Sequence, residues 1–328
     1  MCARSPAIFR AAKKAADDNK AAGITNVAVI GVYATIDTVY RQEDTVRDIL
    51  QSALGPTVNI TISRDVAGLG FIERENASVL NATILPLAQL TIRQFQKSLT
   101  SLGISDSLWQ SDQLINSDDT AKLPISMFLS GPTNSVTGTV FLADRKSLAS
   151  HGALVLDIGG TTSDVCCVEP AGLPRPAAAF AYHAGIRTNF TIPDLQSIGI
   201  GGGSIIRLGG DSVTVGPDSV GKDIAVKERS FGGNFLTTTD IMVAAGQENI
   251  GNRVLLSDIS IADIESVQMQ IKSHLEQVID GMKLSEQDVT LILVGDGSII
   301  CPLALNGISD IKRPPYSQVA NAVGAAMA

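Results

Sequence analysis

The apolar positions of this chain change period along its length, and each change marks an element. Pro6–Ala22 reads as a helix rich in alanine and lysine, stopped by Gly23. The apolar run Val27–Tyr33 predicts a buried strand, Glu43–Leu54 a helix, and Val58–Ser63 a second strand. Strand and helix therefore alternate from the start, as in an α/β layer. From Ile72 to Leu102, Val79, Leu80, Ile84, Leu87, Leu90, Ile92, Phe95 and Leu99 fall at helical spacing. Pro86 should kink or divide this helix, and Gly103 can end it. Near its start, Glu73, Arg74, Asn76 and Asn81 read as a solvated helix terminus with a local ion pair, or alternatively as a support near a cleft.

The second half is richer in short apolar runs. Trp109–Asp119 is polar and irregular. Ser130-Gly131-Pro132 then looks like a helix entry, since Ser caps well and Pro suits the first turn, with the helix itself from about Thr133 to Ala149. Ala153–Leu156 and Val165–Val168 are strand-like runs separated by a glycine turn. Arg175–Phe190 is extended and pattern-poor; its His183 reads as structural, and Arg187 lies close by. Ile205–Val215 predicts a hairpin about Gly209-Gly210-Asp211. Thr237–Gly246 predicts a short helix opened by Thr239-Asp240, Ile261–Met282 a long amphipathic one, and Thr290–Val294 a fully apolar strand. Ser317–Met327 is a helix of small residues. No repeat or low-complexity tract interrupts the series.

Composition narrows the classes. Apolar residues make up 45% and charged residues 18% of 328, enough to bury a core and too apolar for disorder. A net charge of −8 argues against a nucleic-acid-binding surface, but a local backbone nest could still take an anion. Cys2, Cys166, Cys167 and Cys301 form no C-x-x-C pair, so a zinc site is not indicated. They read as small buried residues in a reducing cytosol. No run approaches the ~20 apolar residues of a membrane helix. The expectation is a cytoplasmic protein with neither nucleic-acid nor membrane partners.

Candidate chemistry concentrates at Leu154–Val165, Leu-Val-Leu-Asp-Ile-Gly-Gly-Thr-Thr-Ser-Asp-Val. A short strand delivers Asp157 to a Gly159-Gly160 turn, followed by Thr161, Thr162 and Asp164. An ordinary hairpin has this outline. So does an anion nest, in which glycines admit backbone N–H groups to a phosphate and a carboxylate holds hydrated Mg²⁺. Two carboxylates and three hydroxyls about one turn favour the second reading. Gly201-Gly202-Gly203-Ser204 and Gly295-Asp296-Gly297-Ser298 are two further glycine turns, each implying a close backbone approach.

These stretches occur in the order found in the hydantoinase A/5-oxoprolinase family of the actin/hexokinase/Hsp70 ATPase superfamily, which the chain resembles. The resemblance rests on Glu73–Ala82, Ser130–Pro132, Asp157–Asp164, Ile198–Ile205 and Val319–Ala325, and covers roughly residues 24–328. It implies a ribonuclease-H-like α/β fold, with the second lobe nearly complete and the first partial. Residues 1–70 would be the C-terminal part of the N-terminal lobe, and residues 71–328 the ATPase domain. It implies ATP and Mg²⁺ as cofactors, with Asp157 as the metal and catalytic carboxylate and Asp164 orienting water or a threonine. Gly159, Gly160, Thr161 and Thr162 would contact the outer phosphates. Gly201, Gly202, Gly203 and Ser204 would line the cleft, and Gly295, Gly297 and Ser298 would form the adenosine loop. Asp296 departs from the glycine the family prefers.

The implied activity is ATP-dependent opening of a hydantoin or 5-oxoproline-like ring through carbonyl phosphorylation. The implied partners are a small cyclic amide and a hydantoinase B-type subunit or domain. Unpaired strand edges also invite a second copy of the chain. Superfamily members carry two phosphate loops, whereas this sequence has one such Asp-x-Gly-Gly-Thr stretch, so the expectation is a fragment that is inactive alone. A non-catalytic nucleotide-binding remnant, or an accessory subunit of an acetone-carboxylase-like complex, would share the same loops.

Overall fold

The computed structural model describes residues 6–104, 108–110, 114–127, 130–143, 148, 152–177, 180–183, 185–189, 194–209 and 212–327. Two compact units emerge, Met1–Ser130 with Ala177–Ile192, and Gly131–Pro176 with Pro193–Ala328. Strands and the longer helices are numbered in chain order.

The first unit contains α1 (Pro6–Ala21), β1 (Asn26–Val29), α2 (Gln42–Leu54), β2 (Asn59–Ile62) and α3 (Phe71–Ser101). Strands β1 and β2 pair in parallel, Asn26 opposite Asn59 through Val29 opposite Ile62. Two small antiparallel pairs complete it, β3 (Leu108–Gln110) with β4 (Leu114–Asn116), and β7 (Ala181–His183) with β8 (Ile186–Thr188). The strand expected over Val27–Tyr33 ends at Val29 and is only half-buried. Its physical limit is Arg74, whose guanidinium binds the carbonyls of Gly31 and Val32 and turns the chain outward. Val32 and Tyr33 are exposed as a result.

Helix α3 is neither stopped nor divided at Pro86. Pro86 is exposed, while Leu85 and Ile92 on either side of it are buried, and that packing outweighs the lost hydrogen bond. The solvated-terminus reading of its first turns is also overturned, because Arg74 and Asn81 are buried. Arg74 Nε donates to Ser63 Oγ at 2.9 Å, and Ser63 donates in turn to Glu43. The Glu43 carboxylate also accepts from the Gly31 and Arg64 N–H groups. Asn81 Nδ2 donates to Thr61 Oγ1 at 3.1 Å. The ion pair that does form there joins Glu73 to Arg187 at 2.7 Å, at the β8 end of the small hairpin.

The second unit is built on a five-stranded mixed sheet in the order β13 (Ile308–Lys312), β12 (Val289–Val294), β5 (Ala153–Ile158), β6 (Ser163–Val168), β9 (Leu195–Ile198). The β13–β12–β5 half is parallel, and β6 and β9 run antiparallel. Alternation along the strands divides the core. Leu154, Leu156, Ile158, Val165, Leu291 and Leu293 face α5 (Thr238–Ala244) and α6 (Ile261–Met282). Ala153, Val155, Cys166, Val168, Ile292 and Val294 face α4 (Ser130–Leu142) and the start of α7 (Ala320–Met327). Adjacent Cys166 and Cys167 thus belong to opposite faces, and burial pushes the Cys166 thiol up to about 12.

Ser130-Gly131-Pro132 lies in the first turn of α4, which ends at Leu142 with a bend at Ala143; of the stretch to Ala149 over which the helix is expected, residues 144–147 and 149 lie outside the described residues. Helix α7 crosses α4 backbone to backbone. A Cβ at Gly324 would overlap the Asn134 carbonyl, and one at Gly138 the Ala320 carbonyl. The hairpin of β10 (Ser204–Gly209) and β11 (Ser212–Ser219) forms as expected, with turn residues 210 and 211 outside the described residues. No described helix is long and apolar enough to cross a membrane.

Candidate functional site

The carboxyl end of β5 is where the second unit's loops converge. Asp157 is the penultimate residue of β5 and stands opposite Asp164 on β6. Both lie on the α4 side of the sheet by alternation. Ser135 of α4 donates to Asp157 Oδ2, and Ser197 of β9 donates to Asp164 Oδ1. Neither carboxylate has a cationic partner among the described residues. Burial pushes the Asp157 carboxyl up; Ser135 opposes this and the Asp296 charge adds to it. Asp164 is pushed up by burial too, opposed by Ser197 and aided by the Asp157 charge. Like charges directly across a strand pair are unfavourable, so the arrangement favours a cation or a proton between them.

The turn that follows is Gly159-Gly160-Thr161-Thr162, closed by Gly159 N–H donating to the Thr162 carbonyl at 2.9 Å. Gly160, Thr161 and Thr162 are exposed. Among the described residues their N–H groups and the two threonine hydroxyls have no hydrogen-bond partner. The other glycine segments dock on this turn. Gly202 N–H donates to the Gly159 carbonyl at 3.0 Å, and Gly203 N–H to the Gly160 carbonyl at 2.7 Å. A Cβ at Gly201 would come within 2.6 Å of both Gly159 O and Thr161 N. On the other side, Gly295 has φ +90°, and a Cβ there would overlap Asp157; one at Gly297 would overlap the Gly159 carbonyl. Three segments far apart in sequence thus pack glycine to glycine, a proximity that larger residues would prevent.

Residue by residue, Asp157, Asp164, Gly159–Thr162, Gly201–Gly203, Gly295 and Gly297 are brought together. Ser204 opens β10, fully buried, with its hydroxyl accepting from Gly201 N–H at 2.8 Å. Ser298 sits one residue beyond Gly297, and its carbonyl accepts from Arg313 at 3.3 Å. Asp296 is exposed.

Several contributors left no signal in the sequence. Ser135 and Ser197 are ordinary serines until the fold sets them beside the carboxylates. The helix expected to open on Thr239-Asp240 is instead capped by Thr237, with Asp240 closing a capping box. This frees the Thr238 and Thr239 hydroxyls to hold the Gly202 carbonyl, at 2.7 and 2.9 Å. A cavity of about 840 Å³ opens beside the third glycine segment, walled by Gln268, Lys272, Ser273 and Glu276 of α6 and by Ile299 and Ile300.

No group of three or more His, Cys, Asp or Glu is arranged for metal binding among the described residues. Hydrated Mg²⁺ asks for less, one or two carboxylates with water and phosphate completing its shell. An exposed turn with unspent donors, beside a desolvated carboxylate lacking a cation, fits such a metal–phosphate group.

Residues 74–250, more than half of the chain, match the family model described as Hydantoinase/oxoprolinase. Among solved structures, the chain is similar to a nucleotide-free acetone carboxylase, described with a mechanism of ATP-dependent acetone carboxylation, at 20% identity and a TM-score of 0.74. The alignment covers 97% of this chain and 49% of that one. It is also similar to the ATP-dependent caprolactamase from Pseudomonas jessenii, at 18% identity and a TM-score of 0.64, covering 96% of this chain and 49% of that one. At these identities the likeness is one of fold, and the chain spans about half the length of either. No match is found among curated protein sequences.

Proposed function

The chain belongs to the hydantoinase/oxoprolinase family, and from that premise we propose that its second unit binds Mg²⁺–ATP at the glycine cradle, within an actin/hexokinase/Hsp70-type fold. The activity served is the opening of a cyclic amide, such as a hydantoin or 5-oxoproline, after phosphorylation of its carbonyl oxygen. The observation that carries the reading is the exposed Gly160–Thr162 turn, with three unspent N–H groups beside two desolvated carboxylates.

The chain's own contributions follow from positions. The Gly160, Thr161 and Thr162 N–H groups and the threonine hydroxyls would hold the outer phosphate oxygens. Asp157, with Oδ2 fixed by Ser135, would hold Mg²⁺ through its carboxylate. Asp164, fixed by Ser197, would orient water or a threonine hydroxyl. The 840 Å³ cavity has the size of a small-molecule site and would take the nucleoside end. When bound, ATP supplies the phosphoryl group that turns an amide oxygen into a leaving group, and positioning and electrostatics do the rest.

A second reading is a nucleotide-binding subunit of an acetone-carboxylase-like complex, whose fold the chain shares as it shares that of the caprolactamase. Calorimetry with Mg·ATP tests the cradle, and absence of Mg²⁺-dependent binding would overturn it. ADP release separates the activities. Stimulation by hydantoin or 5-oxoproline supports the amidase. Stimulation by acetone with bicarbonate supports the carboxylase. Binding without either makes the chain a non-catalytic module or one that needs a B-type subunit.

A further inference from the structure

Behind the cradle lies a second acidic pair that the phosphate chemistry does not use. Glu228 and Asp240 are both fully buried. Asp240, in the first turn of α5, accepts the N–H groups of Arg229 at 3.3 Å, Ser230 at 2.9 Å and Thr237 at 3.0 Å. Glu228 Oε1 accepts from Thr237 Oγ1 at 2.8 Å. Glu228 Oε2 is buried without a partner, and so is Ser230 Oγ. A buried carboxylate oxygen facing no donor is costly.

The cations nearby are committed elsewhere. Arg229 turns to Asp258 at 2.6 Å and Lys227 to Asp223 at 2.7 Å, while Arg253 binds the Ala244 carbonyl at 2.8 Å. No Lys, Arg or His pairs with Glu228 or Asp240 among the described residues. The charged group that faces Glu228 is Asp240.

Two acids in this position resolve their repulsion with one shared proton. We propose that Glu228 is a neutral carboxylic acid that donates to Asp240, and that this acid pair is a positioning element for the Gly201–Gly203 arm of the cradle. The connection is short. Thr237 bonds both acids, and the next two residues, Thr238 and Thr239, hold the Gly202 carbonyl. Gly202 and Gly203 in turn hold the Gly159-Gly160 turn. Burial, with the Asp240 charge adding and the Thr237 hydrogen bond opposing, pushes Glu228 up to about 7. As pH rises through that value the pair becomes a buried dianion, and the Thr237–Thr239 segment loses its anchor.

The inference rests on the phosphate-binding reading, so its test carries one readout that needs no nucleotide. Mg·ADP affinity is measured at pH 6 and pH 8 for the wild-type chain and for Glu228→Gln, whose amide supplies the same donor at every pH. Relative to the variant, wild-type affinity should fall about tenfold between the two pH values, as the competent fraction does. Comparing the two proteins cancels the nucleotide's own titration. Parallel pH dependences would overturn the proposal.

If neither protein binds nucleotide at pH 6, the cradle reading fails, and thermal unfolding decides the acid pair alone. Glu228 is raised above the usual 4.5, so its stabilisation is complete below that pH and lost as pH rises through about 7. The wild-type midpoint should therefore drop further from pH 5 to pH 8 than the variant's, which keeps only the loss due to the raised Asp157 and Asp164; equal drops would refute the pair. Should the variant not fold, infrared spectra decide. A protonated-carboxyl band present at pH 6, lost by pH 9 and retained in Asp157→Asn and Asp164→Asn supports the proposal; its absence at pH 6, or its loss in either of those variants, overturns it.

Discussion

Two polar clusters, one buried in the first unit and one half-buried in the second, solve the same problem in opposite ways. In the first unit Arg74, Ser63 and Glu43 form a closed set. Each nitrogen of the guanidinium has an oxygen, and the carboxylate accepts from three donors. In the second unit Asp157 and Asp164 face each other with one serine apiece, no cation among the described residues, and a turn of uncommitted N–H groups beside them. A closed set has nothing left to offer a ligand, and its product is a rigid loop after β1. An open set is destabilised until something with the opposite charge pattern arrives. The difference separates a structural cluster from a candidate site more sharply than residue type does, since both contain acids and serines.

The largest effect should come from breaking the closed set. Arg74→Met leaves Ser63 Oγ and the Gly31 and Val32 carbonyls without their donor, and each polar group so stranded costs about 1–3 kcal/mol. Urea unfolding followed by α1–α3 helicity reads it. A loss under about 1 kcal/mol would mean that water replaces the guanidinium.

Gly201→Ala attacks the open set through its packing. The added methyl meets Gly159 O and Thr161 N at 2.6 Å, and overpacking of this kind costs about 1–3 kcal/mol. The turn should also shift, so Mg·ATP binding measured by calorimetry should be lost together with that stability. Normal binding in a destabilised variant would detach the Gly201 arm from the phosphate site.

Asp157→Asn should do the reverse of Arg74→Met. The folded state raises the carboxyl above its ordinary range, so the stability it contributes is present at low pH and lost as pH rises through the raised value. At pH 7 the amide variant should therefore unfold no earlier than the wild type, yet Mg²⁺-dependent nucleotide affinity should fall about a hundredfold or more. A variant that is clearly less stable at pH 7 would move Asp157 into the structural class.

The smallest effect belongs to Asp296→Gly. The Asp296 charge bears on Asp157 but is exposed and screened. Its removal should tighten nucleotide binding a few-fold at low salt and hardly at all at high salt. Unchanged affinity at low salt would show that Asp296 points away from the phosphates.

Much of this was legible in the chain. Periodicity located α1, α2, α6 and β12 to within a residue or two, because each carries its own apolar stripe or run. The Gly-Gly-Thr-Thr turn and its two aspartates could be read as one unit, since they are contiguous and a strand pair fixes their relation. Arg74 could not be read so. A charged residue near a helix start is usually solvated, and only the meeting of Gly31, Ser63 and Glu43 around it made burial favourable.

What the sequence determined by itself is local: strand, turn and helix, the glycine positions, and a family order of motifs. What only the tertiary structure decided is which polar groups are satisfied. Ser135 reaches Asp157 from 22 residues away, and Thr238 reaches Gly202 from 36. Hydrogen-bond satisfaction depends on distances of a few ångströms between segments that the chain does not order by itself. Spacing along a sequence therefore marks where donors and acceptors lie, but the packed sheet determines which of them remain open.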